Sequence, residues 1–514
     1  MSQLIPGSAP GGGPPWKKAD LVFLASCAVF LYLHLFVPPA TPIFYEEDHL
    51  MFIADAWRMY MGEALYRDFF QLTFPGTQVV YLVLLSIFGT SYWIVNAVIL
   101  AQGMAHVLIW VAISKRFFEN AWITYLPASI FMFFGFRWFG LDGSHRMLSP
   151  IFIGLAILVL LKFSGYRRLI LAGVCCAIAT FFTQQRGVIV IVAIAIFLII
   201  DNRRNRVGFK QILIEEALLG SSFAIAAILL LMPFIVPAGP GKFINDTFFF
   251  LQHYVQGSVS DNAFFGTLKA VFEQGISVSI VAGFYYILIP LVYLVLFWYV
   301  WRRHYDPGAL LIALIGFLLA FGAVVPAPGR MFQIAFPAIF VLVWLLARTK
   351  ASTDRAAKYV VIALVTFGLA LGVRVQTAWQ QYSLDSPSGT IVFISPVVFE
   401  RYEWLSENVR PGDLVFEVYQ PAVNFPLQVR NPTAITYLWD NAFTPQWQVS
   451  EAIDGLEKHQ ARYIIWDSNW SKEPAARSLD DKLEPLYQYL QQNYQMDRAF
   501  TPYLNRRMEV WRRK

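Results

Sequence analysis

The feature that most constrains this chain is a series of apolar runs, each about 15 to 25 residues long, recurring from residue 20 to about residue 375. A run of that length is what an α-helix needs to cross a bilayer core of about 30 Å. Only helices and closed barrels can cross, because unpaired backbone groups find no water there. A barrel would read as short alternating segments instead. Composition agrees: 57% of the 514 residues are hydrophobic and 14% are charged, against about 25% charged in an ordinary soluble protein. A soluble globular enzyme is excluded, and the chain reads as an α-helical polytopic membrane protein. The net charge of +6 is no argument for nucleic acid, because Lys and Arg cluster between the apolar runs, where they report orientation. Cys27, Cys175 and Cys176 all fall inside apolar runs, so neither a disulfide framework nor a cysteine metal site is expected.

Residues 1–19 carry Gly11, Gly12, Gly13, Pro14 and Pro15 ahead of Lys17 and Lys18, and read as a disordered cytoplasmic tail before an uncleaved first span, Leu21 to Val37. The stretch that decides topology is Val79 to Gly89. Its 11 residues give about 17 Å of helix against about 30 Å of hydrocarbon, too little to cross. Laid in the outer leaflet, it leaves Trp93 to Ser114 as the second span. Every later basic cluster then falls on the cytoplasmic side: Lys115 and Arg116; Lys162, Arg167 and Arg168; Arg203, Arg204 and Arg206; Arg302 and Arg303; Arg348, Lys350, Arg355 and Lys358. That parity predicts eleven spans in a transmembrane domain over residues 20–379, with a first outer loop at 38–92 and another at 237–275. Residues 380–514 alternate strand-like pieces (Thr390 to Ile394, Leu414 to Tyr419, Tyr463 to Trp466) with helical patterns such as Val449 to His459, and read as a small extracytoplasmic α/β domain. With no Gly-rich phosphate loop and no usefully spaced carboxylate pair, a lid or acceptor-docking role is what remains for it.

Glu46, Glu47 and Asp48 stand together soon after the first span. Carboxylates packed this closely resist simultaneous ionisation, so one of them is a candidate general base with a raised pKa. The competing reading is an acidic cap at the positive end of the next helix dipole. An amphipathic pattern from Leu50 to Met61 follows, then Gly62, Tyr66-Arg67-Asp68-Phe69, Pro75-Gly76 and the short embedded helix. In that order the loop resembles the GT-C superfamily of polyprenyl-phosphate-sugar-dependent glycosyltransferases, in the branch of protein O-mannosyltransferases and aminoarabinose transferases. The resemblance covers residues 20 to 375 as architecture, with a specific motif of about 35 residues. That family usually shows Asp-Glu where this chain has Glu-Glu-Asp, which leaves the base open between Asp48 and Glu47, with Glu46 third. Tyr66, Arg67 and Asp68 either support the site or pin the loop to the membrane surface.

Further polar groups stand at membrane depth, where they are costly unless paired or functional. Arg137 to Arg146 contains Asp142, His145 and Arg146. The resemblance implies an acid or an arginine near the donor phosphate here, and a stapling Asp142–Arg146 pair is the alternative. The apolar runs Leu169 to Phe182 and Gly187 to Ile200 are each about 21 Å long as helix, so the tip Gln184-Gln185-Arg186 lies below the outer surface. An arginine at that depth suits a lipid phosphate, and interhelical hydrogen bonding suits the glutamines. In Pro326-Ala327-Pro328-Gly329-Arg330, Arg330 stands where many GT-C members hold the leaving phosphate, or acts as an interfacial anchor.

The resemblance therefore implies an inverting transfer of a sugar from a polyprenyl-phosphate donor to an acceptor hydroxyl on a glycan, lipid or protein, at the outer face of a bacterial inner membrane. No cofactor is implied, although the acidic cluster is chemically able to take a divalent cation. A lipid-linked-glycan flippase or transporter would place charge along its spans, and an O-antigen polymerase or ligase would carry its large loop late. The topology makes a direct prediction: single cysteines at Glu47 and Pro75 label from outside intact cells with a membrane-impermeant maleimide, and cysteines at Lys115 and Arg203 label only after permeabilisation.

Overall fold

The computed structural model describes residues 15–119, 121–251, 283–302, 305–323, 328–348, 353–377, 381–439, 444–468, 482–500 and 507–514. Most of the expected tail, much of the expected 237–275 loop, and Pro326 and Ala327 lie outside the described residues.

Seven described helices are long and apolar enough to cross a membrane: Lys18–Leu35, Trp93–Ser114, His145–Lys162, Gly165–Phe182, Gln184–Arg204, Phe209–Ala238 and Asp354–Thr377. Shorter apolar helices are Gly76–Phe88, Tyr286–Val300, Pro307–Phe321 and Phe336–Ala347. Residues 121–139 form a further apolar stretch. That last stretch is not one regular helix. It runs as Ala121–Ser129, a π-helix Ile130–Phe136 and a further turn Arg137–Phe139, with Pro127 inside its first segment; a proline removes a ladder hydrogen bond and disturbs the turn around it. The Gly76–Phe88 helix has 13 residues, about 20 Å, and is short for a crossing, as the length argument requires.

Helix starts follow local chemistry. Ser144 accepts from the Arg146 amide to open His145–Lys162; Asp306 accepts from the Ala309 amide ahead of Pro307; Ser395 accepts from the Val398 amide ahead of Pro396. Each satisfies an orphan N–H of the first turn.

By internal packing the chain divides into two units. The first comprises Met1–His34, Val98–Met232 and Asp261–Gln376. Its core is aromatic: Trp110 stacks on Phe336 at 4.3 Å, and Phe131 on Phe332 at 4.5 Å. The Gly165–Phe182 and Gln184–Arg204 helices approach so closely at Gly187 that a Cβ there would collide with the Cys176 carbonyl.

The second unit comprises Leu35–Ala97, Pro233–Ser260 and Thr377–Lys514. It holds a four-stranded sheet in the order Val415–Glu417, Tyr463–Ser468, Arg507–Arg513, Tyr494–Ala499, parallel at the first pairing and antiparallel at the other two. An antiparallel hairpin pairs Tyr382–Ser386 with Gly389–Phe393. Helices Pro396–Asn408, Gln446–His459 and Glu484–Asn493 accompany them. The hydrophobic core of this unit joins Phe70 and Leu72 to Phe416, Ile464, Val449, Leu486 and Leu490, so first-loop residues and C-terminal residues bury apolar surface against each other.

Candidate functional site

Two polar clusters stand out, one in each unit. In the second unit, the strands Phe36–Val37 and Thr41–Pro42 pair, Ile43 bridges Val392, and the Phe44 amide donates to the Val392 carbonyl at 2.8 Å. The chain thereby delivers Glu46, Glu47 and Asp48 to the start of the His49–Tyr60 helix. Asp48 occupies the N-cap position with helical backbone angles and makes no capping hydrogen bond. Glu47 is exposed, while Glu46 and Asp48 are half-buried. Arg401 donates to Glu46 Oε1 at 2.9 Å, and Gln420 Nε2 donates to the Glu47 carbonyl at 2.8 Å.

Tyr66, Arg67 and Asp68 build the turn that follows. Tyr66 is fully buried at φ +66°, a left-handed conformation uncommon outside glycine, and its hydroxyl donates to the Thr73 carbonyl at 2.6 Å. Arg67 grips Asp68 through two N–H groups at 2.8 and 2.7 Å, and Asp68 also accepts from the Ala64 amide at 2.7 Å. The Arg67 hydrogen bond holds the Asp68 carboxyl down at about 2.

Sequence reasoning passed over Asp55. It lies on the buried side of the His49–Tyr60 helix with no solvent exposure. Its Oδ2 accepts from Gln71 Nε2 at 2.7 Å and Gln78 Nε2 at 3.2 Å. Gln71 Oε1 in turn accepts from the Leu72 and Thr73 amides at 2.8 and 3.2 Å. Burial pushes the Asp55 carboxyl up to about 6, against the lowering effect of the two glutamines. The available signal was an acid between Phe52 and Ala56 on the apolar face of an amphipathic helix. Beside it, Arg58 donates to Glu63 at 2.6 Å and to the Thr433 carbonyl at 3.0 Å, and stacks over Phe69 at 4.2 Å.

The first unit holds the cationic cluster. Gln102 Nε2 donates to the Asp142 carbonyl at 2.6 Å, Ser144 donates to Asp142 Oδ2, and Thr183 donates to the His145 carbonyl at 3.3 Å. Arg186 is buried in the first turn of its helix, and Gln184 and Gln185 before it are half-buried. It donates to the Arg146 carbonyl and to Gln333 Oε1 at 3.3 Å. Its charge lies within Coulombic reach of Arg146 and Arg330, and His145 sits in the field of all three arginines. The structure therefore gathers Arg146, Arg186, Arg330 and His145 in one place. Gln333 belongs with them and was not singled out; it follows Arg330 by three residues in the Pro328–Gln333 helix, a spacing that shares a face. Among the described residues, no group of three or more His, Cys, Asp or Glu is placed to hold a metal ion.

No protein-family model and no curated protein sequence matches the chain. Solved structures do. ArnT from Cupriavidus metallidurans bound to undecaprenyl phosphate is 11% identical, aligned over 96% of this chain and 97% of that one, with a TM-score of 0.59. ArnT from the same organism in the apo state is 10% identical over 95% and 97%, with a TM-score of 0.62. The chain thus has the fold of these structures over nearly its whole length.

The Asp55 cluster generates a stability prediction. The raised carboxyl makes the folded state hold a proton more tightly than the unfolded chain. This contribution is present in full below about pH 4 and is lost as pH rises through about 6. Asp55→Asn should remove that pH dependence. Asp55→Ala should lower the melting temperature in detergent micelles at every pH, because it orphans two buried amides at about 1–3 kcal/mol each. Differential scanning fluorimetry from pH 4 to 8 checks both.

Proposed function

We propose that this chain is an inverting glycosyltransferase that moves a sugar from a polyprenyl-phosphate donor to an acceptor hydroxyl at the outer face of a bacterial inner membrane. The observation that carries the reading is the gathering of Arg146, Arg186 and Arg330 in a chain folded like a protein solved with undecaprenyl phosphate. Three neighbouring guanidiniums repel one another, and a dianionic or monoanionic phosphate offsets that repulsion while accepting their N–H groups. The fold likeness supports the same reading, since that relative holds the lipid phosphate a polyprenyl donor would leave behind.

In this mechanism Asp48 or Glu47 takes the acceptor's hydroxyl proton as the oxygen attacks the anomeric carbon. The new C–O bond forms on the face opposite the phosphate, the old C–O bond breaks, and its electron pair leaves on the lipid phosphate. One displacement inverts the anomeric centre. Arg330, Arg186 and Arg146 stabilise the growing phosphate charge, with His145, Asp142, Gln184 and Gln185 as surrounding support. Glu46 has less claim to the base role because Arg401 already occupies its Oε1. The acceptor is a glycan, lipid or protein hydroxyl. The N-terminus is cytoplasmic and residues 380–514 are extracytoplasmic. A flippase is less well supported: the arginine cluster sits at helix starts, Arg146 and Arg186 each within the first turn, and not along a path through the spans.

Asp48→Asn or Glu47→Gln should lower turnover on a defined sugar-lipid by about 10²–10⁴-fold, the usual worth of a general base, with expression and lipid binding unchanged. Near-full turnover in both single variants and the double variant would end the base assignment. Arg330→Ala should raise KM for the donor more than for the acceptor in steady-state assays, and equal losses toward both would count against a phosphate role.

A further inference from the structure

Three consecutive carboxylates need a local reason to stay where they are, since each repels its neighbours and each side chain is otherwise drawn toward water. Residues 392–420 supply three of the contacts that hold residues 44–47. The first is backbone to backbone: the Phe44 amide on the Val392 carbonyl at 2.8 Å. The second is ionic, Arg401 on Glu46 Oε1 at 2.9 Å, with side-chain exposures of 5% and 20%. The third is an amide on the main chain, Gln420 Nε2 on the Glu47 carbonyl at 2.8 Å. Aromatic packing backs the first two. Tyr402, the neighbour of Arg401, meets Phe44 at 4.8 Å and Phe393 at 5.0 Å, and its hydroxyl donates to the Ala422 carbonyl at 3.0 Å.

We infer that Arg401 and Gln420 are positioning residues that set the Glu47–Asp48 pair for catalysis, and that this is a function of the C-terminal segment. The inference rests on the base assignment proposed above. A guanidinium buried as deeply as Arg401 is expensive unless an anion meets it, so its placement is tied to Glu46. By taking Glu46, Arg401 commits one carboxylate of the triplet to structure. It also supplies the positive charge that lets three acids share one turn. Gln420 then fixes the peptide joining Glu47 to Asp48. A general base must lie within hydrogen-bond reach of its proton, and a displacement of about 1 Å can cost 10²-fold in rate.

The test uses the full-length protein in lipid nanodiscs, with Arg401→Ala, Arg401→Lys, Gln420→Ala and the double variant Glu46→Leu/Arg401→Met, which leaves no stranded buried charge. Arg498→Ala serves as control, because it breaks an exposed pair with Glu400 on the same Pro396–Asn408 helix. Two readouts are taken: hydrogen exchange of the 43–50 amides, and kcat and KM on a defined sugar-lipid. In Arg401→Ala, Gln420→Ala and the double variant, exchange of this segment should rise by about tenfold. Turnover kcat should fall by at least about tenfold with KM for the sugar-lipid near the parent value. Arg401→Lys should recover most of the exchange protection and part of kcat, and Arg498→Ala should match the parent in both. Parent-like exchange and kcat in the double variant and in Gln420→Ala overturn the inference. So does a loss confined to melting temperature and yield. Hydrogen exchange is read without any transfer reaction, so a parent protein that exchanges as described but transfers no sugar would defeat the proposed activity and leave the anchoring standing.

Discussion

A bilayer offers no partner for a stray N–H, C=O or charge, and the rest of this structure follows from that constraint. It forces the chain into helices, seven of them among the described residues long and apolar enough to cross, and it makes each buried ionic group answer to a partner. The first unit shows both consequences near its start: Asp20 meets Lys115 at 2.6 Å and Tyr125 at 2.6 Å. The same rule applied to Arg186, whose N–H groups reach the Arg146 carbonyl and Gln333, explains why a guanidinium in the first turn of an apolar helix is tolerable. Neutral acceptors satisfy its geometry.

The second unit solves a different problem. Its first loop is too polar to be an ordinary connection and too ordered to be a solvated one. Asp55 holds the loop from inside by joining the His49–Tyr60 helix to Gln71 and Gln78, and Tyr66 accepts a left-handed conformation to close the next turn. Contacts from residues 392–420 hold it from the other side. A shared core of Phe70, Leu72, Phe416 and Ile464 makes the loop and the C-terminal segment one packed unit assembled from distant pieces of the chain.

Much of this was legible in advance. The strand-like piece Thr390 to Ile394 is the strand Gly389–Phe393, Tyr463 to Trp466 is Tyr463–Ser468, and the helical pattern Val449 to His459 is Gln446–His459. These succeed because alternation and helical periodicity are local properties. Asp55 was missed because nothing local distinguishes a buried aspartate from an exposed one on an amphipathic helix. Arg401 was missed for the same reason: in sequence it is one more arginine of the chain, on the Pro396–Asn408 helix.

The sequence by itself determined the membrane-spanning class and the order of the first-loop motif, since hydrophobic length and residue spacing are written within short windows. Only the tertiary structure decided which acid of the triplet is engaged by Arg401, that Arg186 shares a neighbourhood with Arg146 and Arg330, and that Asp55 is sealed from solvent. Those are facts about proximity and burial: Arg401 reaches Glu46 across 355 positions and Arg186 reaches Gln333 across 147. The cost of a charge depends on what surrounds it, and that is set only when the distant parts of the chain have packed.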